Sequence, residues 1–244
     1  MILRQRWRNL QADVYVSFHR NLITDFYEQT IVPVFAEWQR QRAKYEADDS
    51  ALADFLLVDL DALEIESARA LCLSLQSLWE RQLRQYLAKC EVELKIKNPI
   101  STSTKWKQVR AAFEKYRHIE LQQFSSFALL EELHLVGNVF RHGPGSSLKQ
   151  LKEDHPHLWS ADRGDLEHLT FQSKHSLETY ELPVVSLSQL HRYTLAVVDF
   201  WNDCQYIYNQ SLETKTPILQ VELARELEQR EKMEARAFPA QQAP

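Results

Sequence analysis

Apolar residues recur along most of the chain at the three- and four-residue spacing that is typical of amphipathic helices. The first such region covers about residues 10–45, and Pro33 inside it is expected to kink the helix or to start a second one. After a polar loop at residues 46–50, the longest uninterrupted pattern covers about residues 51–92, which contain neither Gly nor Pro. Its apolar stripe is broad, and this width predicts a central helix of a bundle.

A third helical pattern begins at Trp106, after Thr104 as a candidate N-cap, and continues to about Arg141, with or without a bend near His118. In its last stretch, four apolar residues share one face at about 100° per residue. They are Leu129, Leu133, Val136 and Phe140. The opposite face and its edge carry Glu131, His134, Asn138, Arg141 and His142. The pattern therefore predicts a helix that buries an aliphatic face and exposes a polar one.

Turn and capping residues divide the rest of the chain. The segment Gly143-Pro144-Gly145 must stop the helix, with Gly143 as its left-handed cap. Ser147 and Gln150 fit a capping box for a short helix that ends near Asp154. Residues 156–184 lack a clear period, which leaves short strands or an ordered loop as the two alternatives.

Two further helices are predicted towards the end of the chain. Ser186 and Gln189 form a second capping box, and the helix that they start runs to about Tyr208. After Pro217 a charged helix follows, with a thin apolar stripe that can dock on the bundle or on a protein partner, and the final residues look frayed.

The chain is therefore predicted to be all-α, a helical bundle with long central helices, an irregular insertion and a C-terminal helical tail. The predicted organisation has three parts. They are N-terminal helices that pack on the bundle (1–50), the bundle with its irregular insertion at 156–184 (51–210), and the charged C-terminal helix with its frayed end (211–244).

Composition narrows the class of protein. The 244 residues include only four Gly, which argues against turn-rich β folds and against a Gly-rich phosphate loop. A net charge of −5 does not suggest extensive nucleic-acid binding, although it permits a local basic site. The three Cys are not closely spaced, so buried free thiols are expected. No apolar segment is long enough for a signal peptide or a membrane span, and a cytoplasmic protein is therefore expected.

The segment from Asn138 to His142 carries the strongest candidate chemistry. Arg141 has the planar donor pair that suits a phosphate, His142 can exchange protons near neutral pH, and Asn138 can orient a hydroxyl. Together they could cleave RNA: the His removes the ribose 2′-hydroxyl proton and the Arg holds the phosphoryl charge, with no metal or cofactor required. The alternative is that a basic pair at a helix C-terminus only complements the helix dipole.

Gly137 and the His155-Pro156-His157 turn are two further candidates for a site. Gly137 costs about 1 kcal/mol relative to Ala inside a helix, which invites a reason such as the close approach of a second backbone or a ligand. His155 and His157 flank Pro156, but a metal site needs two more ligands, and none stands at a usable spacing. We therefore expect a surface turn there and no metal.

The segment Leu135–Gly145 resembles the signature of the HEPN superfamily (higher eukaryotes and prokaryotes nucleotide-binding domains). In those helical bundles a long helix ends in Arg-Asn-x-x-x-His, or in a looser Arg-x(4–6)-His, often followed by Gly. The resemblance assigns the family Asn to Asn138 and the family His to His142. Gly137 stands in place of the family Arg, so either Arg141 supplies the cation or activity is absent. A second Arg-x(4)-His spacing, Arg163 to His168, is interpreted as chance.

Many HEPN proteins are metal-independent ribonucleases of toxin–antitoxin and anti-phage systems, and two copies of the motif usually meet across a dimer interface. The resemblance thus implies a bacterial toxin or defence endoribonuclease that acts as a homodimer on RNA. His142, Arg141 and Asn138 would be catalytic, and His134 and Glu131 secondary. The alternative is a non-catalytic HEPN-like module that binds a nucleotide or a protein partner, with the C-terminal helix as a partner-binding element.

Overall fold

A computed structural model describes residues 4–103, 105–159, 166–170, 174 and 182–237. These residues are largely helical and contain no strand, so the all-α prediction is confirmed for the part that the structure describes. The helices are α1 (Val16–Phe26), α2 (Val32–Glu46), α3 (Ala51–Glu93), α4 (Trp106–Arg117), α5 (Phe127–His142), α6 (Ser146–Asp154), α7 (Leu187–Ser211) and α8 (Pro217–Ala237). No helix in these ranges combines the length and the hydropathy that a membrane crossing requires.

The first helical region is continuous but changes its winding. A π-helical turn, Tyr27–Ile31, joins α1 to α2, and Pro33 lies in the first turn of α2. The Val32 N–H bonds to the Tyr27 carbonyl, five residues earlier, so the winding changes next to Pro33, which has no N–H to donate. The sequence predicted a kink or a second helix at Pro33, and α2 begins beside it without a break in the helical region.

The central helix α3 has 43 residues, a length of about 65 Å. Its bounds agree with the uninterrupted apolar pattern in the sequence. Ser50 precedes it, and the Ser50 hydroxyl accepts a hydrogen bond of 3.3 Å from the Ala53 N–H, which caps the first turn.

The helix predicted from Trp106 to Arg141 is two helices. His118 has a left-handed backbone, with φ of 57°, and its N–H bonds to the Glu114 carbonyl at the end of α4. A short 3₁₀ turn follows before α5 begins at Phe127. The apolar period continues through the break because both helices contribute to buried surfaces. The sequence therefore predicted a single helix with, at most, a bend near His118, where the chain in fact breaks. The candidate cap Thr104 lies outside the described residues.

Helix α6 also begins differently from the prediction. Gly145 is its N-cap residue, no side chain caps it, and the proposed Ser147–Gln150 capping box is absent. The helix ends at Asp154, as predicted. A 3₁₀ turn, Pro156–Trp159, opens the irregular insertion, and much of the remaining insertion, including Arg163, lies outside the described residues.

The chain divides into two compact units by its internal contacts. The first unit contains Met1–His19, Leu83–Phe127 and Asp199–Pro244, and the second contains Arg20–Gln82 and Ala128–Val198. Each unit is built from stretches that are distant in sequence. The three-part organisation drawn from the sequence stays a prediction.

A buried ion pair lies in the core of the first unit. Both oxygens of Asp13 accept from one terminal nitrogen of Arg117, at 2.8 and 2.9 Å, and the Tyr86 hydroxyl donates to Asp13 at 2.7 Å. Asp13, Arg117 and Tyr86 are fully buried. The Arg117 guanidinium also lies 3.7 Å from the ring centroid of Trp7. The N-terminal segment is thereby fixed to α3 and α4.

Two sequence-based expectations concern the same unit. Helix α8 packs within it, because Leu223 is buried and Arg230 forms an ion pair with Asp203 of α7. Cys90 and Cys204 are free and buried, as is Cys72 of the second unit. Burial raises the pKa of all three thiols, that of Cys90 to about 12, so they remain protonated at neutral pH.

In the second unit an ion-pair network holds part of the insertion. Arg42 donates to the buried carboxylate of Asp61 at 2.5 Å and to the backbone carbonyl of His168 at 3.1 Å. The other oxygen of Asp61 accepts the Thr170 N–H at 2.8 Å, and the His168 ring contacts Glu64 at 2.7 Å. His168, the end of the second Arg-x(4)-His spacing, therefore has a structural contact.

Candidate functional site

Helix α5 ends as the sequence predicts. Its last residue is His142. Gly143 follows with a φ of +72°, a backbone conformation that residues other than glycine rarely adopt. The Gly143 N–H bonds to the Val139 carbonyl at 2.8 Å, which satisfies one of the free carbonyls at the helix end. Pro144 cannot continue the ladder. The position of the helix exit is thus set by local chemistry.

The division of α5 into an aliphatic face and an exposed polar face is wrong. Its buried residues lie on all sides: Leu130, Glu132, Leu133, His134, Leu135, Val136, Gly137 and Val139. Leu129 and Phe140, assigned to the buried face, are only half-buried, whereas His134 is 7% exposed. Side chains from both α3 and α7 contact α5. The prediction failed because it assumed that the helix packs against neighbours on one side only.

Gly137 has a packing role. A β-carbon at this position would lie 2.6 Å from Cγ of Gln76 on α3, closer than real side chains approach one another. Gln76 is fully buried, and its amide donates to Glu80 at 2.7 Å, so it is not free to withdraw. The neighbour that requires glycine is thus a side chain of α3. The sequence had suggested a second backbone or a ligand instead.

Arg141 and His142 are exposed, as predicted. The terminal Nη2 of Arg141 donates to Gln76 Oε1 at 2.8 Å and to Ser77 Oγ at 3.1 Å. Within the described ranges, its Nε and Nη1 make no hydrogen bond, and neither does the His142 ring. One nitrogen thus anchors the guanidinium on α3, while Nε and Nη1 have no partner in the part of the chain that the structure describes.

The remaining predicted site residues lie further inside. Asn138 is half-buried, and its Nδ2 lies 3.0 Å from Nε2 of the buried His134, one turn earlier on α5. Glu131 is half-buried as well. The structure therefore pairs Asn138 with His134. Both side chains are less exposed than those of Arg141 and His142.

A second cluster, which also includes a residue of α5, was not predicted from the sequence. One oxygen of Glu132 lies 2.7 Å from Nδ1 of His155 and 3.6 Å from Nε2 of His157. One potential metal-ligand atom from each of these three residues lies within 4.8 Å of the others. The expectation of a simple surface turn at His155–His157 was thus incomplete, because Glu132 precedes His155 by 23 positions in the sequence.

The second oxygen of Glu132 is also occupied. It accepts a hydrogen bond from the Gln189 amide and another from the Tyr193 hydroxyl, each 2.7 Å long. Both donors are on α7, which begins after Ser186 caps it through a 3.2 Å bond to the Gln189 N–H. The Gln189 side chain therefore bonds to Glu132, and the predicted capping box keeps only its Ser186 half.

A sequence signal for this cluster did exist. At about 100° per residue, Glu132 projects within roughly 40° of Val136, beside the apolar face of α5. A carboxylate next to a buried stripe requires a partner in the core. The sequence did not indicate that this partner is the His-Pro-His turn.

Comparison of the chain with protein-family models, with curated proteins and with solved structures found no match. The HEPN resemblance remains a prediction from the residues of α5.

Proposed function

We propose that this protein is a HEPN-like, metal-independent endoribonuclease of a bacterial toxin or anti-phage defence system, acting in the cytoplasm as a homodimer. One observation carries the proposal. At the exit of α5, an exposed His142 stands next to an exposed Arg141 whose guanidinium is anchored on Gln76 and Ser77. An anchored cation beside a solvent-accessible imidazole is the minimum set for RNA transesterification.

Each residue has a defined step in this reaction. His142 takes the proton of a ribose 2′-hydroxyl, and the 2′-oxygen attacks the adjacent phosphorus. The bond from phosphorus to the 5′-oxygen breaks, which leaves a 2′,3′-cyclic phosphate, and the 5′-oxygen receives a proton from His142 of a second copy. Nε and Nη1 of Arg141 stabilise the charge on the phosphoryl oxygens.

The residues beneath the surface support this arrangement. Asn138 positions the substrate, and its contact with His134 fixes the side chain in one orientation. Glu131, half-buried on the same helix, completes the secondary set. Arg141 takes the place of the family Arg, because the packing of Gln76 on Gly137 leaves no room for a side chain there.

The test is an assay of the purified protein with RNA in the presence of EDTA. His142→Ala is expected to reduce cleavage at least 100-fold, because general acid–base catalysis contributes about 10²–10⁴-fold. His118→Asn is the matched control: His118 is exposed and left-handed, and Asn tolerates that backbone. If the wild-type protein leaves the RNA intact, or if His142→Ala cleaves it equally fast, the nuclease proposal is rejected.

A second candidate function follows from Gly137. The position of the family Arg serves helix packing here, and this favours a non-catalytic module that binds a nucleotide or a protein partner, for example through α8. Filter binding and size-exclusion chromatography separate the two functions. A monomer that retains RNA without cleaving it, with weaker retention in Arg141→Ala, supports the binding module.

A further inference from the structure

The geometry points to a divalent-metal site that is separate from the exit of α5. We propose that Glu132, His155 and His157 bind one zinc-class ion, with water as the fourth ligand. The three side chains come from α5, from the C-cap of α6 and from the following 3₁₀ turn. The proposal stands independently of the ribonuclease function, since none of these residues takes part in the RNA reaction.

The distances suit a small tetrahedral site. Zinc binds imidazole nitrogen and carboxylate oxygen at about 2.0–2.2 Å, which sets neighbouring ligand atoms about 3.3–3.6 Å apart. The pair formed by Glu132 oxygen and His157 nitrogen, 3.6 Å apart, already has this spacing. The pair formed by Glu132 and His155, 2.7 Å apart, needs to open by less than about 1 Å, a side-chain adjustment.

The charge of the cluster favours a cation. The Glu132 side chain is 4% exposed, and a carboxylate buried to this degree requires a compensating charge. Among the described residues, no Lys or Arg forms an ion pair with it; its neighbours are two neutral donors and the two imidazoles. A divalent ion held by the carboxylate and both imidazoles supplies a compensating positive charge.

The ligands are held by surroundings typical of metal sites. Metal-binding carboxylates usually accept hydrogen bonds from neighbouring groups, and the second oxygen of Glu132 accepts from Gln189 and Tyr193. The first oxygen is thus directed at the histidines. On the other side, fully buried Leu151 and Leu158 anchor the two ends of the turn that carries His155 and His157.

The ligand set also defines the class of ion. Two imidazoles with one carboxylate select zinc, cobalt or nickel over magnesium or calcium, which prefer oxygen ligands. Three protein ligands leave one position for water, the arrangement of zinc sites that are open to a substrate. His155 and His157 are 20% and 45% exposed, so an ion and a water molecule can reach the site from solvent.

The test uses the full chain without a polyhistidine tag, stripped of metal with a chelator and then titrated with Co²⁺. Wild type is expected to bind one equivalent with the visible absorption of tetrahedral Co²⁺, and one equivalent of Zn²⁺ should remove that absorption. His157→Ala and Glu132→Gln are expected to weaken Co²⁺ binding at least tenfold. Zn²⁺ should raise the melting temperature of wild type but not that of His157→Ala.

Control variants separate this site from other imidazoles. His142→Ala should bind Co²⁺ like wild type, whereas Tyr193→Phe should weaken binding about tenfold by releasing the second oxygen of Glu132. His157 is half-exposed, and its substitution should leave the metal-free fold intact, which circular dichroism checks. If wild type does not bind Co²⁺, or if His157→Ala binds it as tightly as wild type, the proposal is overturned and the cluster is only a His–Glu ion pair.

Discussion

Asp13 and Glu132 are buried carboxylates in different units of the protein, and each accepts a 2.7 Å hydrogen bond from a buried tyrosine hydroxyl. They differ in their cation. Asp13 is paired with Arg117, whose guanidinium carries a permanent charge, whereas Glu132 faces two imidazoles, which are common metal ligands.

The difference separates a structural ion pair from a candidate site. Arg117, the Tyr86 hydroxyl and the Leu10 N–H together make four hydrogen bonds to the two oxygens of Asp13, so the acceptor sites of this carboxylate are occupied. In the Glu132 cluster, one carboxylate oxygen is directed at the two imidazoles, which can bind a metal. Burial alone therefore does not distinguish a site from a structural pair, but the identity of the partner does.

The largest expected effect is on the structural pair. Asp13→Ala leaves the guanidinium of Arg117 buried without its counter-charge, and we expect the free energy of unfolding to fall by about 3–5 kcal/mol. Denaturant titration measures the loss. Arg40→Ala, which removes an exposed pair with Glu37, is the control and should cost far less, because solvent screens that pair. If both variants lose the same free energy of unfolding, the claim that burial makes the Asp13–Arg117 pair more important than an exposed pair is contradicted.

A smaller effect is expected at the other carboxylate. In chelator at neutral pH, Glu132→Ala should cost about 1–3 kcal/mol, because Gln189 and Tyr193 lose an acceptor but no permanent charge is left unpaired. Glu153→Ala, at an exposed position of α6, should change stability by less than about 0.5 kcal/mol. If Glu132→Ala costs as much as Asp13→Ala, the contrast between the two carboxylates fails.

The smallest effect, counted per pH unit, concerns a buried histidine of the first unit, His19. His19 packs against Trp201, with ring centroids 4.8 Å apart, and burial, with the nearby Lys89 charge, lowers its pKa to about 4. Below an ordinary pKa of 6.5 the unfolded chain binds a proton that the folded chain does not, so stability is lost as the pH falls from about 6.5 towards 4.

The slope of this loss is at most about 1.4 kcal/mol per pH unit for one group. Urea titrations of wild type and His19→Gln at several pH values between 4 and 7 measure it. The stability difference between the two proteins should shift in favour of the variant as the pH falls. A difference that stays constant over this range would show that His19 does not set the slope.

The sequence determined the features that depend on local chemistry. The all-α class, the bounds of α3, the start of α2 near Pro33 and the left-handed stop at Gly143 follow from propensity, proline geometry and glycine conformation. Arg141 and His142 were also correctly expected to be exposed, because they stand in the last turn before that stop.

Tertiary structure decided what surrounds each helix. Periodicity identifies an apolar stripe but does not tell how many neighbours cover a helix, so the burial of His134 and the packing of Gln76 on Gly137 became evident only with α3 in place. The approach of Glu132 to the His155–His157 turn depends on contacts between residues that are distant in sequence. No local pattern encodes such contacts, because they arise only when the helices pack together.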